Sequence, residues 1–154
     1  NYEYNLKIGN LVCDKTNFYF LDVRSYLDYT LFSRRDMLDK CGVDYLANQE
    51  NNVVSSCSNF ENTFMCMPYD NFFRNEMYKK FTKNSQIIYI HFSHERLSEL
   101  EDENGTLNVD LICYEDRVKN LKKVSNHTII VSNKKDETVI QELFNIIGGK
   151  REHK

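Results

Sequence analysis

Short apolar runs of strand length alternate along this chain with segments of helical periodicity, and this alternation limits the fold more than any other feature. The runs are rich in β-branched and aromatic residues, and they lie at residues 17–22, 63–67, 86–92 and 127–132. Continuous apolar runs of this length are typical of parallel strands covered on both faces. The pattern therefore predicts an α/β fold with a parallel sheet and helices on both of its faces.

The segments between these runs carry apolar residues every three or four positions, as amphipathic helices do. The clearest are residues 110–124 and 136–147, and a first helix is predicted at about 5–16. The predicted order is helix, strand, two helices, strand, helix, strand, two helices, strand, helix. Because the chain opens on a helix, we expect a further strand, from outside residues 1–154, to complete the sheet.

Length and charge narrow the classes of function. A chain of 154 residues with 41% hydrophobic residues can form one compact domain, and we predict a single domain over residues 1–154 that is part of a longer chain. The net charge of −3, with acids and bases interspersed, indicates neither a nucleic acid nor an anionic membrane surface as partner. No apolar run reaches the roughly 18 residues of a membrane span, and no signal peptide is visible. We predict a cytoplasmic location.

The cysteines and histidines indicate neither a disulfide framework nor a metal site. The five cysteines are odd in number and lack the paired spacing of zinc sites, so we predict reduced thiols that lie mostly in the core. His91 and His94 flank the end of the third predicted strand. Since no third ligand lies at close spacing, we predict no metal site there.

Five short segments follow one another in a recognisable order: YNLKIG (4–9), FLDVR (20–24), GVDYLANQE (42–50), MPYD (67–70) and DRVKNL (116–121). This order resembles that of shikimate kinase, a small P-loop kinase. The family has G-K-S-T-x-G, then strands and helices carrying D-x-D, G-E-x-x-F-R-x-x-E, G-G-G and R-x-P-L-Y. The register holds almost without gaps over most of the chain. The resemblance implies a P-loop kinase architecture in which YNLKIG falls on the end of the phosphate loop.

Several residues that would perform the chemistry differ from the family pattern. Tyr4, Asn5 and Leu6 stand where the phosphate loop has glycine, lysine and serine, so the phosphates lose their lysine and Mg²⁺ its hydroxyl ligand. Asp22 keeps the first aspartate, which in the family lies near the metal. Arg24 replaces the second, which in the family hydrogen-bonds the shikimate hydroxyls. At a strand end, Asp22 is equally suited to cap the next helix.

The remaining positions of the substrate site are also altered. In the family an arginine three residues before Glu50 binds the substrate carboxylate, and the glutamate orients it. Ala47 stands there instead, so we predict that Glu50 has lost its partner. Side chains at 68–70 replace three glycines, and the lid segment 99–110 lacks its arginine. Arg117 is the one substrate arginine that remains.

Asp22, Arg24, Glu50 and Arg117 are thus the candidate site residues. We predict a shikimate-kinase-like domain that has lost catalysis, needs no cofactor and persists as a structural or interaction module. Its partners would be neighbouring domains of an AROM-type polypeptide or other proteins.

Two alternatives remain. One is an active, divergent shikimate kinase, using ATP and Mg²⁺, whose phosphate loop lies upstream of Asn1. The other is a rhodanese-like domain, because FLDVRSYLDY (20–29) shares an L-x-D-V-R strand end. That fold needs a catalytic cysteine directly after a later strand, where this chain offers His91 and Ser93.

Overall fold

The computed structural model of the chain describes residues 1–93, 96–97, 111–132 and 134–148. The elements within these residues are, in chain order, α1 (Tyr2–Cys13), β1 (Tyr19–Asp22), α2 (Val23–Thr30), α3 (Arg34–Cys41), α4 (Val43–Cys57), β2 (Thr63–Cys66), α5 (Tyr69–Phe73), a 3₁₀ turn (Arg74–Glu76), α6 (Tyr78–Asn84), β3 (Ile88–Phe92), α7 (Leu111–Val124), β4 (His127–Val131) and α8 (Asp136–Gly148). All four predicted strands are present, each within one or two residues of its predicted bounds. No helix in the described part of the chain is long and apolar enough to cross a membrane.

The chain divides into two compact units, one formed by Tyr2–Ser85 and the other by the residues from Gln86 onward. Each unit contains a two-stranded parallel sheet, in which β1 pairs with β2 and β3 pairs with β4. The predicted α/β class and the parallel strand direction are therefore confirmed. The described residues differ from the prediction in holding two separate pairs of strands, because no described strand joins one pair to the other.

The register of β1 and β2 brings their carboxyl ends to one edge of the first sheet. Tyr19 pairs with Thr63, and Asp22 pairs with Cys66. Asp22 is also the last residue of β1 and the residue before α2. A polar side chain that ends a parallel strand in this way lies at the edge where α/β folds place their functional groups.

Helix α1 packs against β1 and β2, and Gly9 allows it to lie close to them. Ile8 and Val12 of this helix are fully buried. A Cβ atom at Gly9 would lie 2.5 Å from Cε2 of Phe20 and 3.2 Å from Cε1 of Phe64. Any side chain at position 9 would therefore collide with the aromatic rings of the sheet.

Three helices lie between β1 and β2, where the sequence predicts two. The chain turns sharply between α3 and α4 at Gly42, which has a φ of 86°. A φ in this range favours glycine, since it has no Cβ atom to clash with the backbone. This junction separates α3 from α4.

The connection from β2 to β3 contains α5, the 3₁₀ turn and α6 instead of one helix. Asn75 and Glu76 have φ values of 51° and 55°, in the left-handed region. Two successive residues in this conformation end a right-handed helix and redirect the chain. They lie directly after Arg74, which belongs to the site described below.

Candidate functional site

Asp22 lies where the carboxyl ends of β1 and β2 meet the first turns of α1. Its Oδ1 accepts hydrogen bonds from the Arg24 amide at 3.0 Å and the Ser25 amide at 3.3 Å. Its Oδ2 accepts a hydrogen bond from the Ser25 hydroxyl at 2.6 Å. A carboxylate in this position satisfies the free N–H groups at the start of a helix. Asp22 thus caps α2, as its place at the strand end indicates.

Tyr2, at the start of α1, hydrogen-bonds to Asp22. This residue is not among the candidates selected from the sequence. Its hydroxyl lies 2.5 Å from Asp22 Oδ1 and 3.1 Å from the carbonyl oxygen of Cys66. A phenol has one proton to donate, and the shorter contact indicates Asp22 as its acceptor. Burial and the hydrogen bond to Asp22 raise the pKa of Tyr2.

The charge of Asp22 is stabilised by these bonds. Partial burial acts to raise the pKa of Asp22, but hydrogen bonds from Ser25, Tyr2 and the backbone outweigh it, so the pKa of this carboxyl group is lowered. The carboxylate is therefore ionised at neutral pH, and both of its oxygens already have partners.

Arg24 is directed towards α1. Its guanidinium carbon lies 4.1 Å from the centroid of the Tyr2 ring, and its Nη1 lies 3.2 Å from Glu3 Oε1. A cation over an aromatic ring at an exposed site contributes about 0.5–1 kcal/mol. Arg24 therefore joins the start of α2 to the start of α1, and its charge is shared with Tyr2 and Glu3.

Cys66 and Asn5 lie beneath this group. The Cys66 thiol donates to the carbonyl oxygen of Asn5 at 3.3 Å. Burial, together with the nearby Asp22 and Cys13, raises the pKa of Cys66 to about 12, so this thiol is protonated and unreactive at neutral pH. The side-chain oxygen of Asn5 is buried and makes no hydrogen bond.

The other cysteines differ in their burial. No disulfide bond joins any of the five cysteines, all of which lie within the described residues, and Cys57 is buried like Cys66. Cys13 is partly buried, whereas Cys41 and Cys113 are exposed. The prediction that the thiols lie mostly in the core is therefore wrong, because the helix positions of Cys41 and Cys113 face solvent.

Glu50 is a buried carboxylate on α4, and two arginines bind it. Its side chain is 7% exposed. Arg74 Nη1 lies 2.7 Å from Oε2, and Arg34 Nη2 donates to Oε1. The prediction that Glu50 has lost its partner is therefore wrong. Its partners lie 16 residues earlier, on α3, and 24 residues later, after α5, rather than on a neighbouring turn of α4.

Asp28 completes this group, and we call Asp28, Arg34, Glu50 and Arg74 the Glu50 cluster. Arg34 Nη1 lies 2.5 Å from Asp28 Oδ1. The two positive and two negative charges balance, so the cluster is formally neutral. Burying an ion pair has a desolvation cost that can exceed the attraction between the charges. The clearest effect of the cluster is therefore geometric, since it fixes α2, α3, α4 and the turn after α5 to one another.

Residues 68–70, predicted from the resemblance to stand where the family has three glycines, form the start of α5. The carbonyl oxygen of Pro68 accepts a hydrogen bond from the Phe72 amide at 3.0 Å. The rings of Tyr69 and Phe73 lie 4.6 Å apart between centroids. The bulk of Tyr69 thus belongs to an aromatic cluster that also contains Phe72, Tyr78 and Phe81.

Arg117 lies in the second unit, exposed on α7. The other three candidate residues, Asp22, Arg24 and Glu50, lie in the first unit. Asp22 and Arg24 are brought together through Tyr2, whereas Glu50 has a separate set of partners. The lid segment 99–110 and His94 lie outside the described residues.

The second unit has a polar pair near the end of β3. The Tyr89 hydroxyl lies 2.9 Å from Nδ1 of His91. Burial and the nearby charge of Lys122 lower the pKa of His91, which keeps the imidazole neutral at physiological pH. Within the ranges that the structure describes, no three or more His, Cys, Asp or Glu side chains are grouped so as to hold a metal ion.

Comparison of the sequence with models of protein families finds no family that matches, and comparison with curated proteins finds no significant match.

Proposed function

We propose that this chain is a shikimate-kinase-like domain that transfers no phosphoryl group and serves as a structural or interaction module. The observation that carries the proposal concerns the two carboxylates that the family pattern shares with this chain. Asp22 and Glu50 each have both oxygens bonded to groups of the same unit. A carboxylate that binds a metal directs an oxygen at it, and in the family the glutamate orients an arginine of its own helix, whereas the arginines that bind Glu50 lie on other elements. Here both carboxylates hold helices in place instead.

The strand pairing supports the shikimate-kinase-like fold in this proposal. In the family the strand before the phosphate loop is central, so the other strands lie in two parts of the sheet, one on each side of it. The pairing of β1 with β2 and of β3 with β4 fits such parts. A glycine at position 9, aligned with the last glycine of the phosphate loop, is required here by the rings of Phe20 and Phe64. Packing alone is thus enough to explain this glycine.

The lack of a lysine near the start of α1 also supports a domain without kinase activity. The segment that aligns with the phosphate loop lies inside α1, and its lysine position is Asn5. The β- and γ-phosphates of ATP are normally bound by backbone N–H groups and a lysine. Such a domain would need no cofactor and would act in the cytoplasm beside the neighbouring domains of an AROM-type polypeptide. The alternative, an active kinase that uses ATP and Mg²⁺, requires a phosphate loop supplied from upstream of Asn1.

Two titrations test the proposal. We expect no heat of binding when Mg·ATP is titrated in a calorimeter, and no saturable NMR shifts with millimolar shikimate. The loss of one of two arginine partners costs about 1.5–3 kcal/mol, or roughly tenfold to a hundredfold in affinity. Ala47→Arg should not restore binding, because side chains still occupy positions 68–70.

An active shikimate kinase, measured in the same buffers, is the positive control for both titrations. Saturable binding of shikimate by the unmodified chain, or its recovery in the Ala47→Arg variant, would reject the proposal and favour the active kinase.

A further inference from the structure

Glu50 links two segments of the first unit that are far apart in the sequence. Arg34, the first residue of α3, donates to its Oε1, and Arg74, the first residue of the 3₁₀ turn, lies 2.7 Å from its Oε2. Of the eight residues of α3 and the three of the turn, all described, none is buried. Segments with few buried contacts open locally at a low free energy. The bonds to Glu50 therefore carry a large share of what holds both segments.

The backbone beside each of these arginines is in the left-handed region. Ser33, directly before Arg34, has a φ of 69°, and Asn75 and Glu76, directly after Arg74, have φ values of 51° and 55°. This conformation is unfavourable for residues other than glycine, although asparagine tolerates it better than most. It persists where the surrounding structure holds the residue in place. The side chain of Ser33 forms no capping hydrogen bond to α3, so it does not stabilise this conformation itself.

The burial of Glu50 makes its two contacts depend on each other. The side chain is 7% exposed, and a buried carboxylate that loses one of its partners carries a large desolvation cost. Withdrawal of either arginine admits water to the carboxylate. A hydrated carboxylate gains less from the arginine that remains, because a charged pair is weaker in water than in the protein interior. Opening of one segment therefore lowers the free energy needed to open the other.

We propose that Glu50 couples these segments, so that α3 and the turn after α5 open as one unit. The closed state is stabilised by the two charged hydrogen bonds. The open state is stabilised by hydration of the carboxylate and by release of the left-handed backbone. An element with two such states acts as a conformational switch. A change at either arginine then opens both segments, because coupling between two sites is reciprocal. The proposal does not depend on whether the chain has kinase activity.

Hydrogen–deuterium exchange of the full chain, followed by mass spectrometry, tests the coupling. Arg74→Gln should raise exchange in α3 by about fivefold or more, although the substitution lies outside that helix. Arg34→Gln should raise exchange in residues 74–81 in the same way. Lys79→Gln is the matched control, because it breaks an ion pair to Glu76 between side chains that are 57% and 64% exposed. The control should change exchange in α3 by less than about twofold, and exchange in α1 should stay the same in all proteins.

Three results would overturn the proposal. Faster exchange that stays within the substituted segment would show that the two segments open independently. An equal rise in α1 would show that the whole unit unfolds instead. The third is an effect of Lys79→Gln on α3 as large as that of Arg74→Gln.

If an arginine variant does not fold, Ser33→Gly tests the same coupling in the opposite direction. A glycine relieves the left-handed backbone at this position, and the gain exceeds the extra freedom of glycine in the open state. Exchange should therefore slow by about twofold to fivefold in α3 and also in residues 74–81. Any other result, including slower exchange in α3 alone, would reject the coupling.

Discussion

Replacing Glu50 by glutamine removes the charge that two arginines share and keeps the size of the side chain. A hydrogen bond to a charged group contributes about 1.5–3 kcal/mol, and Glu50 accepts two. A glutamine offers one oxygen, so one arginine would face an amide group that cannot accept a hydrogen bond. The side chains of Arg34 and Arg74 are 38% and 34% exposed, and water can therefore replace part of the loss. We expect the free energy of unfolding to fall by about 2–4 kcal/mol.

The measurement is urea unfolding at neutral pH followed by circular dichroism. Asp28→Asn is the matched control, because it removes a carboxylate from the same cluster but from a side chain that is 58% exposed. An exposed ion pair contributes about 0–1 kcal/mol, so the control should differ little from the unmodified chain. A Glu50→Gln loss below about 1 kcal/mol, or one no larger than that of Asp28→Asn, would show that the buried carboxylate does not hold the helices together.

Three further outcomes follow from the packing and the charges. Gly9→Ala should destabilise the chain by about 1–2 kcal/mol in thermal or urea unfolding, since the collision with the sheet exceeds the gain in helix propensity. Gly148→Ala is the control, because a Cβ atom there meets no atom within 4 Å, and this variant should be neutral or stabilising. Asp22→Ala should cost about 1 kcal/mol at neutral pH. Because the pKa of Asp22 is lowered from 3.8, this difference should be fully present above that pH and shrink as the pH falls below it. By NMR titration, His91 should have a pKa below 6.5, and Lys122→Gln should raise it; an unchanged His91 pKa in that variant would contradict the assigned role of Lys122.

The sequence is most informative about the strands. The four apolar runs contain β1 to β4, because runs of this length that are rich in β-branched and aromatic residues favour strands. They are not covered along their whole length, since Tyr19 and Ile130 are exposed. The parallel direction also follows from the helices between the runs. Whether the four strands form one sheet depends on strand neighbours that no local pattern encodes. That part of the architecture therefore cannot be obtained from periodicity.

The candidate site residues also differ in how far away in the sequence their partners lie. The cap at Asp22 could be predicted, since its partners Arg24 and Ser25 lie two and three residues away. The partners of Glu50 could not, because Arg34 and Arg74 reach it only after the chain has folded across α3 and β2. Any search for a partner on neighbouring turns of α4 misses both.

The two-stranded sheets have a consequence for the lifetimes of their backbone hydrogen bonds. In a strand that has a single neighbour, the backbone N–H groups of alternate residues point away from that neighbour. In the described part of the chain, each of β1 to β4 pairs with one other strand. Their amides should therefore exchange with deuterium in an alternating pattern, slow where they face the partner strand and fast where they face away. Protection of a whole strand would then depend on the helices over its faces. For β1 and β2, we expect the close contact of α1 at Gly9 to slow the opening of the sheet.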